Sequence, residues 1–220
     1  WNEAKEELNA VEPDYTLTEI PEKSTAARKV FLVQMKSVAD EKDGEPVTIR
    51  GYYAEPAGEG EYPAIITYQG YDSDATATPY CPGGDENPGF AEFVLSTRGQ
   101  SVNNRAPFEN AYGDWFAYNF GNKDCYYYRG AYMDAVRAID FMASRSKVNP
   151  GRIFAQGQSQ GGALTIAAAA LDDRLRAIAP AIPFMGDFPD YFQVGSWPAN
   201  VAEKVRGDMT DEEMYAFLSY

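Results

Sequence analysis

Short apolar runs separated by Gly- and Pro-rich breaks set the rhythm of this chain. Residues 29–35 are rich in β-formers, and residues 47–53 follow across Asp43-Gly44, a frequent hairpin-turn dipeptide, so the two segments predict an antiparallel entry hairpin. After the Gly/Pro-rich turn at 56–60, residues 62–68 form a short continuous apolar run, the pattern of a strand covered on both faces, and residues 90–96 predict another. Between these two lie residues 69–89, rich in Gly, Pro, Asp and Thr. A connection of that length predicts a functional loop at the strand ends.

In the second half, Tyr132, Ala135, Val136, Ile139, Asp140 and Met142 approach helical spacing, which stops before Val148-Asn149-Pro150-Gly151. A strand at 152–156, a small-residue helix at 160–171 and a strand at 177–183 follow, and strand, helix, strand at this spacing predicts a parallel sheet. Thr210-Asp211-Glu212-Glu213 is a capping box that starts a terminal helix. Residues 1–24 are polar and acidic, with Pro13 and Pro21, and read as an N-terminal extension with one helical turn around residues 3–8. The single domain is then 25–220. The predicted fold class is α/β: a mainly parallel sheet with an antiparallel N-terminal hairpin and helices on both faces.

Charge narrows the partners. Nineteen basic against thirty-three acidic residues give a net charge of −14, a field that repels phosphate backbones and anionic lipid and favours a neutral substrate. Neither nucleic acid nor membrane is expected as a partner, and the longest apolar run, 163–171, is too short to span a bilayer. The chain has no histidine and two cysteines without metal-ligand spacing, so neither metal nor cofactor is expected. Cys81 and Cys125 are either two thiols or one disulfide, the latter implying an oxidising compartment. The sequence opens with Trp1 and no basic-then-apolar leader precedes 2–12; the compartment stays open, with a periplasmic or secreted location favoured over a cytoplasmic one.

The chemistry concentrates at Gly157-Gln158-Ser159-Gln160-Gly161-Gly162, between the strand ending at Gln156 and an Ala-rich helix. This is the strand, sharp turn, helix setting of the G-x-S-x-G nucleophile elbow of α/β-hydrolases. The serine must sit in a strained turn with its hydroxyl exposed above the sheet, and Gly157 and Gly161 relieve crowding that a Cβ would create. Ser159 is the candidate nucleophile; a glycine-rich turn with an idle serine is the bland alternative. Unpaired amides at the start of the helix, Gln160 first, would face a developing oxyanion. The second amide in such an architecture comes from a loop after an earlier strand, which points to Tyr71 after Gly70, with a plain turn as the alternative. The aromatic stretch 112–128 suits either core packing or a sugar-stacking cleft, the latter requiring some of Trp115, Phe116, Tyr118 or Phe120 to be exposed.

Taken together, Gly70-Tyr71, Arg98-Gly99-Gln100, the elbow, Tyr126-Tyr127-Tyr128-Arg129 followed by Asp134-Ala135-Val136-Arg137-Ala138, and Pro183-Phe184 resemble, in order, the acetyl xylan esterase and cephalosporin C deacetylase family of carbohydrate esterases. The resemblance covers most of the chain. It implies removal of acetyl groups from acetylated xylo-oligosaccharides or similar small acetyl esters, with Ser159 as nucleophile, the Gln160 and Tyr71 amides as oxyanion hole, and Arg98 and Gln100 bracing the site. A structural ion pair of Arg98 is compatible with that bracing. The resemblance also implies a homo-oligomer.

The chain departs from the family at its C-terminal side, where members place an aspartate and then a histidine after the serine. Neither segment is found after Ser159, so a C-terminal segment or a second chain is expected to supply both. Asp187 and Asp190 fit a surface loop better than a catalytic acid. Two rival readings remain: another α/β-hydrolase, dienelactone-hydrolase-like or peptidase-like, and a catalytically incomplete carbohydrate-binding or assembly protein.

Overall fold

The entry hairpin forms as two ten-residue strands, β2 (Arg28–Ser37) and β3 (Val47–Pro56), paired antiparallel along their whole length. This computed structural model describes residues 1–41, 43–75 and 88–219. A short strand β1 (Thr16–Glu19) adds to β2, and β4 (Tyr62–Tyr68), β5 (Ala91–Ser96), β6 (Val148–Gln158) and β7 (Leu175–Ala181) complete one sheet in the order β1-β2-β3-β5-β4-β6-β7. The pairings β5/β4, β4/β6 and β6/β7 are parallel, and β2 runs with them, so five of the seven strands point the same way. That direction sends the ends of β4, β5 and β6 to one edge, where the loops carrying Tyr71, Arg98 and Ser159 meet.

Helix α2 (Tyr127–Ala143) lies beside α3 (Gln160–Leu171) on the sheet. Phe141 of α2 meets Tyr53 and Phe93 at 5.3 and 4.9 Å between ring centroids, and the Tyr68 hydroxyl donates to the Ala135 carbonyl at 2.9 Å. On β4, Ala64, Ile66 and Tyr68 are fully buried while Ile65 and Thr67, on the other face, are only partly so. Helix α2 starts five residues before the periodic pattern that signals it. Its first turn is Tyr127-Tyr128-Arg129-Gly130, all poor or indifferent helix formers except the arginine, so local propensity does not mark the start that the burial of Tyr127 and Tyr128 fixes.

Residues 1–24 form more than the single turn expected. Helix α1 (Asn2–Ala10) buries Ala4 and Leu8 in a small cluster with Met133 and Val136, and Arg137 reaches from α2 to donate to the Leu8 and Val11 carbonyls at 2.6 and 3.0 Å. Those carbonyls belong to the end of a helix, where backbone acceptors outnumber backbone donors, and Arg137 acts as a side-chain cap alongside the Val11 amide, which also donates to Leu8.

Three further helices, α4 (Phe188–Val194), α5 (Ala199–Val205) and α6 (Asp211–Leu218), lie against the aromatic stretch. Phe217 stacks edge-on with Phe120 and Tyr126, both at 4.9 Å, and Trp115 and Phe116 are buried. Core packing has therefore claimed these two rings, while Tyr118 and Phe120 are half-buried and Tyr112 is exposed. The capping box forms as expected: Thr210 accepts from the Glu213 amide, and the Glu213 carboxylate accepts from the Thr210 amide at 2.8 Å. Thr210→Ala is expected to lower unfolding free energy by about 1 kcal/mol, measurable by urea denaturation. No helix among the described residues is long and apolar enough to cross a membrane. Cys81, and with it any pairing to Cys125, lies outside the described residues, as do positions 76–87 of the long loop.

Candidate active site

Ser159 sits at φ 56° and ψ −117°, a conformation that a residue with a Cβ adopts only under strain of about 1–3 kcal/mol. The strain is held from three directions. The Ser159 amide donates to Ala181 at the end of β7 (3.0 Å), and the Ser159 carbonyl accepts from Ala163 in α3 (3.1 Å) and from Phe184 (3.2 Å). The side chain is half-buried at the mouth of the turn.

The flanking glycines are required by close approach. A Cβ on Gly157 would stand 2.3 Å from the Gly161 carbonyl oxygen, and a Cβ on Gly161 would stand 2.0 Å from the Tyr68 oxygen and 2.9 Å from that of Gln69. Both obstacles are backbone, so nothing can swing away. Gly161→Ala is expected to cost about 3 kcal/mol or to prevent folding, seen as a lowered denaturation midpoint; a midpoint equal to wild type would mean that the elbow does not pack on the end of β4.

Because Gly161 rides on Tyr68 and Gln69, the loop after β4 begins beside the elbow, and a Cβ on Gly70 would be 3.7 Å from the Gln158 oxygen. This places the start of the loop that carries Tyr71 next to the turn at Ser159. The loop is tied down by residues following β5: the Asp72 amide donates to Gln100 Oε1 at 2.9 Å, and the Ala75 amide to Ser101 Oγ at 2.8 Å. Gln100 is buried, and its Nε2 donates to the Tyr127 hydroxyl (2.7 Å) and to Gln160 Oε1 (3.2 Å). One side chain thus links the loop carrying Tyr71 to the first residue of α3.

The Gln160 side chain is engaged as well. Fully buried, its Oε1 also accepts from the Tyr128 hydroxyl at 3.1 Å, while its Nε2 faces Thr97 Oγ1 and the Gln69 carbonyl at 3.3 and 3.4 Å. Its own amide, first in the helix, has no intrahelical acceptor. The only sequence signal for the side-chain role was a long polar residue at the head of a Gly/Ala run.

Arg98 lies beneath this layer, away from solvent. Its Nε and Nη2 grip Asp134 Oδ2 and Oδ1 at 2.8 and 2.6 Å, and Nη2 also donates to the Val38 carbonyl at 3.2 Å. Burial works against the charge, but the Asp134 carboxylate outweighs it and raises the guanidinium pKa above its ordinary value. The Arg98 carbonyl accepts from the Tyr127 hydroxyl at 2.7 Å, joining the pair to Gln100. The ion pair and the link to Gln100 are thus one arrangement.

Asp114 was not singled out from sequence, and the structure puts it beside Tyr71. Tyr71 donates its phenol to Asp114 Oδ1 at 2.5 Å, Phe116 donates its amide to the same oxygen at 2.9 Å, and Trp197 donates its indole to Oδ2 at 2.7 Å. Burial, and then the contact with Asp114, push the Tyr71 phenol pKa up, so it stays a donor. An acid inside an aromatic run was the available signal. Asp187 and Asp190 are both exposed, but they do not lie in a loop as expected: Asp187 is the N-cap of α4 and Asp190 stands in its first turn.

A seven-stranded mixed sheet whose parallel part delivers a strained serine between β6 and α3 defines the α/β-hydrolase class. Residues 1–204 match the acetyl xylan esterase (AXE1) family, and the chain belongs to that family. It is 24% identical over 210 residues to the acetyl esterase Axe7A of Xylanibacter ruminicola, covering 90% of this chain but 46% of that protein. The chain thus spans about half the length of this curated relative. Among solved structures, it superposes on the acetyl xylan esterase from Paenibacillus sp. R4 with a TM-score of 0.82 at 29% identity, covering all of this chain and 71% of that one. Acetyl xylan esterase 1 from Thermoanaerobacterium sp. JW/SL YS485 shares the fold, with a TM-score of 0.81 at 22% identity over 99% of this chain and 69% of that one.

Proposed function

We propose that the protein is a serine esterase that removes acetyl groups from acetylated xylo-oligosaccharides or similar small acetyl esters through an acetyl-serine intermediate. The observation that carries this reading is the conformation of Ser159, strained at φ 56° at the head of α3 with the loop of Tyr71 beside it. The hydroxyl oxygen attacks the acetyl carbonyl while a base takes its proton. The tetrahedral oxyanion then accepts hydrogen bonds from the Gln160 and Tyr71 amides, reinforced by the positive end of α3. Collapse releases the sugar hydroxyl with that proton and leaves acetyl-Ser159. Water, deprotonated by the same base, frees acetate.

This sequence contains no histidine. The base and its acid partner are therefore assigned to polypeptide outside it, a C-terminal segment or a second chain, in keeping with the 46% coverage of the curated relative. A homo-oligomer, outside the cytoplasm, is the form proposed. The test is covalent labelling of the full-length native protein with a fluorophosphonate, read by intact and peptide mass, alongside acetate release from an aryl acetate. Labelling at Ser159 with turnover supports the esterase; sugar binding with neither supports the one rival that the absent histidine favours, a catalytically incomplete carbohydrate-binding or assembly protein.

A further inference from the structure

We infer that Asp114 is a positioning residue for the oxyanion hole, fixing the peptide that carries the Tyr71 amide by accepting the Tyr71 phenol. The inference rests on the proposed role of Tyr71. It starts from a convergence on one carboxylate: Asp114 caps the helical turn that follows it, and two segments distant in sequence aim further donors at the same group. Tyr71 comes from the loop after β4, Phe116 from the short helical turn Trp115–Ala117, and Trp197 from the connection between α4 and α5. The two oxygens receive three donors and give none. The Trp115 amide in turn donates to the Tyr71 oxygen at 3.0 Å, so the phenol is held both as donor and as acceptor.

Packing narrows the phenol's freedom further. The Tyr71 ring lies 4.7 Å from the Trp197 ring and 5.3 Å from that of Trp115, and Trp197 itself lies 5.3 Å from Phe184, whose amide binds the Ser159 carbonyl. The side chain of Tyr71 is thereby fixed at its far end by Asp114 while its backbone is fixed through Asp72 and Gln100. A residue held through its side chain and through the peptide that follows it keeps the direction of its own amide without reorganising as charge develops, and that preorganisation is what makes an oxyanion donor effective. Asp114 does this from a distance and touches no reacting atom.

An asparagine at 114 discriminates sharply. It offers one acceptor oxygen where two are used, and its NH2 would face either the Trp197 indole or the Tyr71 and Phe116 donors. The test uses the full-length native protein and 4-nitrophenyl acetate, comparing wild type, Asp114→Asn, Tyr71→Phe and the double variant. Each single variant is expected to lower kcat about tenfold, part of the effect of losing an oxyanion donor, with KM changed less than about threefold. The double variant is expected to fall within about twofold of either single, because both remove one linkage. Tyr71→Phe removes only a hydroxyl and keeps the test open if Asp114→Asn folds poorly.

Wild-type turnover with kcat unchanged in Asp114→Asn, or losses that multiply in the double variant, would overturn the inference and leave the esterase reading intact. No turnover in wild type would instead overturn the esterase reading. In that case amide hydrogen exchange over residues 68–75 decides the linkage: faster exchange in both single variants supports it, and unchanged exchange removes it.

Discussion

Ser159→Ala in the full-length native protein is expected to abolish fluorophosphonate labelling and to lower acetate release by about 10⁴-fold or more, while the folded state survives. The stability half of this expectation is as specific as the catalytic half. Alanine keeps the Cβ, so the cost of holding φ 56° is unchanged, and the three backbone bonds that hold the turn involve no side-chain atom of residue 159. Thermal unfolding of the variant should match wild type within about 2 °C, since a half-buried hydroxyl with no hydrogen-bond partner among the described residues contributes within about 0.5 kcal/mol. Turnover that persists at a tenth of the wild-type rate would remove Ser159 from the chemistry. A variant that unfolds would instead show that the serine hydroxyl holds the elbow.

The second large effect concerns the floor of the site. Asp134→Ala leaves the Arg98 guanidinium buried with 1% of its side chain exposed and its charge partner gone, and is expected to cost about 3–5 kcal/mol. Against a total stability of about 5–15 kcal/mol, that is a fall of about 10 °C in Tm by calorimetry or circular dichroism. Replacing both partners by apolar residues, Arg98→Met with Asp134→Leu, is expected to cost less than Asp134→Ala alone, because no uncompensated charge remains. The reverse order would mean that the bond from Arg98 to Val38 outweighs the pair. Since the Arg98 carbonyl receives the Tyr127 hydroxyl and Tyr127 receives Gln100, loss of the pair should also lower kcat in whatever protein remains folded.

Much of this architecture was legible locally. The hairpin, β4, β5 and α3 are found where period and punctuation put them, and the elbow was readable because its glycines, its strand and its helix are contiguous. The start of α2 was not, since its first turn holds two tyrosines and a glycine, whose weak helix propensity is overridden by tertiary burial. Helix α1 was underestimated because its contacts, among them Arg137, Arg129 and the Leu171 carbonyl, come from more than a hundred residues away, and within the helix only Ala4 and Leu8 are buried.

The same division runs through the site. By itself the sequence determined the sharp turn at Ser159: a serine between Gly157 and Gly161 at the seam of a strand and a helix dictates its strained backbone through steric exclusion, an effect that reaches only a few residues. Only the tertiary structure decided what surrounds that turn. It set Gln100 between two loops, buried Arg98 against Asp134, and gathered Tyr71 and Trp197 on Asp114. Hydrogen bonds and ion pairs between distant segments leave no periodic trace along a chain, because each depends on where the sheet order brings the strand ends and not on the spacing of residues within any one of them.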